Sequence, residues 1–149
     1  FVNGVPLQAY RVDTSQTGDS ILTDIMDGIA HSRMVLADVS SVGKDSRSSE
    51  PYRNGNVMYE VGLALACRQP CDVLLVRDDK DKFLFDVSTV PHMFVDFTDI
   101  RAAMAQINEE LVKRLKEQQF VNDARVRIAV SSLTHEELIR LKQLSDMPK

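Results

Sequence analysis

The chain contains no apolar run approaching the roughly 20 residues that cross a bilayer, and no charged-then-apolar leader opens it. Membrane association is not expected, and the expected setting is the cytoplasm. Basic charge is also in short supply, with 18 Lys and Arg against 22 Asp and Glu and a formal net charge of -4. Arg11, Arg33, Arg47, Arg53 and Arg68 are scattered rather than gathered into a patch, so the electrostatic footprint of a nucleic-acid binder is missing. There are only two cysteines, Cys67 and Cys71, and His92 is the nearest histidine. Zinc asks for about four ligands at tighter spacing, so both are read as free structural thiols and no metal is expected. Gly43, Gly55 and Gly62 lack the spacing of a phosphate-cradling loop, which argues against ATP hydrolysis. His31, His92 and His135 share no motif with a Ser or Cys nucleophile, which argues against a hydrolase triad and leaves them as helix-end or surface residues.

What the chain does have is enough apolar material, 44% of 149 residues, for the substantial core of a single domain of ordinary size. Residues 5–12 alternate weakly and read as a short strand that delivers Arg11 and Asp13 to its end. Ile21, Leu22, Ile25, Met26 and Ile29 recur at helical steps and define one helix face. Residues 33–39 form a nearly continuous apolar run, the pattern of a strand buried on both faces, with Asp38 near its end. Residues 40–53 have almost nothing to bury and predict a mobile loop of about a dozen residues, a length often tied to function.

A helix then follows over Asn54 to Ala66, with Val57, Val61 and Leu65 on one row. Gly62, Ala64 and Ala66 are expected to allow close approach to a sheet. Further strands are predicted at 72–77 and 90–97, and a long helix capped by Asp99 at 100–119. Residues 126–130 read as a last short strand, and Thr134 with Glu137 as the capping box of a terminal helix. This divides the chain into an α/β domain over 1–130 and a C-terminal helix over 131–149 that opens a further module.

Strands alternating with helices at this spacing predict a mostly parallel sheet covered on both faces. Right-handed crossovers gather the strand C-termini on one edge, where Asp13, Asp38 and the loop leading to Glu60 would meet. Ligands of such sheets bind in the crevice outside those strand ends. Glu60 is the only carboxylate in an otherwise apolar helical pattern, close to a helix N-terminus whose free N–H groups suit a polar or anionic ligand.

Ala37-Asp38-Val39-Ser40, followed by Asn54-Gly55-Asn56-Val57-Met58-Tyr59-Glu60-Val61-Gly62-Leu63-Ala64-Leu65-Ala66, resembles the nucleoside 2-deoxyribosyltransferase-like superfamily, which is related in fold to TIR domains. The resemblance runs from about Arg11 to Phe97 and includes Arg11 with Asp13 and the Phe85-Asp86-Val87 segment. It implies a flavodoxin-like, doubly wound sheet, a further strand and helix upstream of Val5, and self-association. It also implies a small-molecule nucleoside, nucleotide or NAD as substrate, with no separate cofactor. Glu60 falls on the superfamily's catalytic carboxylate and Asp38 on its base or sugar contact, with Asp13, Asn54, Asn56, Tyr59 and Asp86 as substrate contacts.

The chemistry suits the residue. Cleaving an N-glycosidic bond builds oxocarbenium character, which a carboxylate stabilises or captures as an ester. One departure is that the superfamily commonly has Asp where this chain has Asn54, and an amide is no general acid. Each of these residues also has a plain structural alternative. Glu60 could complement the helix dipole, Asp38 cap a turn, and Asn54 and Asn56 cap the helix. Tyr59 could pack on the sheet, Arg11 and Asp13 form a surface pair, and Asp86 serve a turn. The alternative function is a non-catalytic, TIR-like nucleotide-sensing or assembly module.

Overall fold

Val73 to Arg77 is the middle strand of the parallel sheet, and all five of its residues are buried. The computed structural model describes residues 7–11, 21–81 and 90–146. Within these the element order is α1 (Ile21–His31), β1 (Val35–Asp38), β2 (Ser41–Lys44), β3 (Pro51–Arg53), α2 (Gly55–Cys67), β4 (Val73–Arg77), β5 (His92–Phe94), α3 (Ile100–Ser131) and α4 (His135–Ser145). A single 3-10 turn, Pro70–Asp72, leads into β4. The fold is mixed α/β. β1, β4 and β5 make a parallel three-stranded sheet in the order β1-β4-β5, and β2 with β3 makes a small antiparallel sheet.

The register explains the core. Val35 lies opposite Val73 and Asp38 opposite Val76, while Leu75 lies opposite His92 and Arg77 opposite Phe94. Successive strand residues face opposite sides, so β4 feeds two clusters. Val73 and Leu75 join Ile29 of α1, Val61 and Ala64 of α2, and Val39. Leu74 and Val76 join Val95 and Ala103 of α3. Burying each Val or Leu of this kind is worth about 1.5–3 kcal/mol, which is why a short strand of unbroken apolar residues can hold helices against both faces.

Several expectations are corrected here. The predicted mobile loop at 40–53 is a hairpin. Its tip is closed by Asp45, whose carboxylate accepts from the backbone N–H of Arg47 and Ser48, both at 2.8 Å, and by Ser49 at a left-handed φ of 58°. An irregularity between Ser41 and Gly43 sets the pairing, and Gly43 leaves the room that the Tyr52 ring occupies. The predicted strand at 126–130 is helix, because α3 runs on to Ser131. No Gly or Pro interrupts the chain between Gln119 and Ser131, and the elongating helix absorbs the run. Residues 7–11 carry no strand, and the rest of the predicted first strand lies outside the described residues.

In α2, only part of the expected close approach is present. Ala64 is fully buried, but Gly62 and Ala66 are exposed, and a Cβ on Gly62 would meet nothing within 4 Å. Gly62 therefore does not mediate contact with the sheet. The expected capping box is present in full, with Thr134 accepting from the Glu137 N–H and the Glu137 carboxylate accepting from the Thr134 N–H at 2.8 Å. The chain divides into two compact units, 1–114 and 115–149, with the boundary inside α3. No helix among the described residues is long and apolar enough to cross a membrane.

Candidate functional site

The C-terminal edge of the parallel sheet is where the chemistry-bearing residues collect. β1 ends at Asp38, β4 at Arg77 and β5 at Phe94. The hairpin leaves from the same edge and delivers the chain, through Arg53, to the N-terminus of α2. Val39, the residue after Asp38, is buried in the same cluster as Val61 and the partly buried Val57, so the exit of β1 lies against the first turns of α2.

α2 begins at a conventional cap. The Asn54 side-chain oxygen accepts from the N–H of Asn56 at 3.0 Å and of Val57 at 3.4 Å, satisfying two of the donors that a helix start leaves open. Its carboxamide oxygen is thus engaged within its own turn. Asn56 is exposed, as is Tyr59, which does not pack on the sheet. Glu60 follows Asn56 by four residues, so the two share one flank of the helix with their Cβ atoms about 6 Å apart.

Glu60 is half-buried. At 100° per residue it borders the face formed by Val57, Val61 and Ala64 rather than pointing to open water. It is the only charged residue of α2, and no hydrogen bond or ion pair engages it among the described residues.

Asp38 is exposed and occupied. Its Oδ1 accepts from both the N–H of Ser40, at 2.9 Å, and the Ser40 hydroxyl. The Ser40 hydroxyl in turn accepts from the Asp78 N–H at 3.0 Å, joining the exits of β1 and β4. The same turn recurs after β5, where Asp96 Oδ1 accepts from the Thr98 N–H at 2.9 Å and the Thr98 hydroxyl at 2.6 Å. That hydroxyl bond, followed by the bond from the N–H, holds the Asp96 carboxyl below its ordinary value. The recurrence shows the Asp-x-Ser/Thr turn as a strand-ending device, a role Asp38 fills whatever else it does. Asp13 and Asp86 lie outside the described residues.

The most heavily bonded group at this edge was not singled out from the sequence. Asp79 accepts from Arg53 through two parallel bonds of 3.1 and 3.2 Å, from the Ser41 N–H at 2.8 Å, from the Asp81 N–H at 3.0 Å and from Arg77. Arg53 also donates to the Val39 carbonyl. Arg77 also donates to the Asp81 carbonyl and lies over the Phe94 ring, 5.2 Å from its centroid. The Arg53, Arg77 and Asp79 side chains are 2%, 4% and 13% exposed, so these charges meet with little water between them. Burial alone would raise the Asp79 carboxyl, but it is outweighed by the bonds from Arg53, the Ser41 N–H and Arg77, which hold it far below the ordinary carboxylate range. The only sequence signal was an Arg ending an apolar strand, followed two residues later by Asp, too common a pattern to single out.

Cys67 and Cys71 are both exposed free thiols. His31 ends α1 and His135 begins α4, as expected of helix-end residues, while His92 sits in β5. The chain matches no family model and no curated protein.

Proposed function

We propose that the chain is an N-glycosidic bond enzyme acting on a nucleoside, a nucleotide or an NAD-like substrate, with Glu60 as its catalytic carboxylate. The observation that carries this reading is Glu60 itself, half-buried at the start of the helix that packs beside the strand exits and engaged by no partner among the described residues. As the bond between the anomeric carbon and the base nitrogen breaks, the electron pair leaves with the base and positive charge builds on the sugar. The Glu60 carboxylate stabilises that charge or closes on the anomeric carbon as an ester, which water or an acceptor base then opens. Asn56, one turn earlier on the same flank, offers a carboxamide to sugar hydroxyls or base edges. The proposed architecture is the flavodoxin-like, doubly wound one, and self-association belongs to the same reading.

The test is incubation of the protein with a panel of nucleosides, nucleotides and NAD, with products read by mass, for the natural chain and for Glu60→Gln. Release of base by the natural chain and its loss in the variant is the expected result.

One observation favours a second reading. The side-chain oxygen of Asn54 is engaged in capping and its amide is no general acid, so departure of the base has no assigned acid. In a non-catalytic nucleotide-sensing or assembly module of TIR-like type, the same edge would bind its ligand without consuming it. The ligand would raise the melting temperature, and no free base would accumulate.

A further inference from the structure

We propose that Asp79 is a positioning residue for Glu60: it fixes where α2 starts, and so where the Glu60 carboxylate stands relative to the sheet edge. The proposal rests on the reading of Glu60 above and adds a residue that this reading does not contain.

The apolar contacts of α2 do not settle its placement by themselves. Val57, Val61 and Ala64 pack on Val39, Val73 and Leu75, and such contacts are non-directional, so they favour burial of that face more than any one axial position along it. Directional bonds are needed at the helix ends. At the C-terminal end, Arg68 donates to the carbonyls of Ile29, Ala30 and Arg33 at 3.0–3.1 Å, which anchors α2 to the exit of α1. At the N-terminal end the anchor is Arg53, which immediately precedes the cap residue Asn54. Its guanidinium bonds the Val39 carbonyl at the exit of β1 and both carboxylate oxygens of Asp79 just past β4.

Asp79 is the shared acceptor of this arrangement. It also takes the Ser41 N–H, where the hairpin departs, and Arg77, the last residue of β4. One carboxylate therefore joins the exits of β1, β3 and β4, and it does so where little water competes. A fork of two parallel bonds defines direction as well as distance, so the α2 entry inherits its placement from Asp79. Glu60 lies six residues past the cap on a continuous helix, and each residue of axial slip would carry it about 1.5 Å. A misplacement of about 1 Å is enough to cost about 100-fold in rate.

The experiment measures kcat and KM for base release in the natural protein, Asp79→Asn, Asp79→Glu, Arg53→Lys and Arg68→Lys, each first checked for a cooperative melt. Asp79→Asn replaces an acceptor of several N–H groups by an amide whose NH2 opposes them, and Arg53→Lys replaces the fork by a single point charge. The expected result is a loss of about 100-fold in kcat for both, with KM within about threefold, partial recovery in Asp79→Glu, and kcat within about twofold for Arg68→Lys. Arg68→Lys loosens the far end of the same helix and controls for destabilisation as such. If Asp79→Asn does not fold, Arg53→Lys decides.

Kinetics of Asp79→Asn or Arg53→Lys that match Arg68→Lys would overturn the positioning role while leaving Glu60 as the catalytic carboxylate. A natural protein that releases no base from any substrate would overturn the reading of Glu60, and the positioning role with it.

Discussion

Arg53 and Asp79 meet in a two-pronged ion pair, Nη1 to Oδ2 at 3.1 Å and Nη2 to Oδ1 at 3.2 Å, with both side chains largely removed from water. Removing one partner of such a pair leaves the other charge buried and uncompensated, which costs about 3–5 kcal/mol. Asp79→Ala removes the carboxylate that the Arg53 and Arg77 guanidinium groups share and is expected to fall in that range, measured by urea unfolding at neutral pH. A loss below about 1 kcal/mol would place the pair with ordinary surface ion pairs.

The same carboxylate sets a pH dependence. Asp79 is held below its ordinary value of 3.8, so the folded state keeps it ionised at pH values where the unfolded chain binds a proton. Its stabilising contribution is fully present above that ordinary value and is lost progressively as pH falls below it. Unfolding free energy measured from pH 6 down to pH 3 should decline more steeply in the natural protein than in Asp79→Asn. Parallel curves would remove Asp79 from the acid response.

Gly62 stands in open space in the interior of α2. A glycine there costs about 0.5–1 kcal/mol relative to alanine, so Gly62→Ala should raise the melting temperature and preserve the far-ultraviolet circular dichroism. A destabilised variant would mean that this glycine meets a close contact after all.

Asn54 separates capping from catalysis. Asn54→Ala should cost about 1 kcal/mol through loss of the cap. Asn54→Asp should keep the cap and place a negative charge at the helix start, a gain of about 0.3–1 kcal/mol. Held ionised in the cap, that carboxylate carries no proton to the leaving base at neutral pH, so base release should stay close to that of the natural chain. A variant that releases base much faster would show that a carboxyl group at this position does deliver a proton.

The fold was legible where burial is strongest, and the site only where a residue breaks its pattern. The unbroken apolar run of β4, the helical steps of α1 and the Thr134–Glu137 box each have one physical solution, and the structure adopts it. The hairpin at 40–53 was not legible, because its order comes from Asp45 bonding within the tip and from Ser41 and Arg53 bonding Asp79. Asp79 lies 26 residues from Arg53, a separation that no local pattern reports. The strand expected at 126–130 failed for the opposite reason: a short local run gave way to a helix already in progress. Glu60 stood out less as a lone carboxylate than through the motif around it from Asn54 to Ala66. Asp38, a strand-end residue equally readable as a turn cap, has its Oδ1 engaged in a turn of the kind that also follows β5.

The most direct measurement is base release by Glu60→Gln beside the natural chain, with melting temperatures recorded for both. Because Glu60 has no partner among the described residues, the substitution should leave the melting temperature within about 2 °C, while it removes the charge proposed to stabilise the developing oxocarbenium ion. The account predicts a folded variant whose base release is abolished. A folded variant that releases base at the natural rate would contradict it.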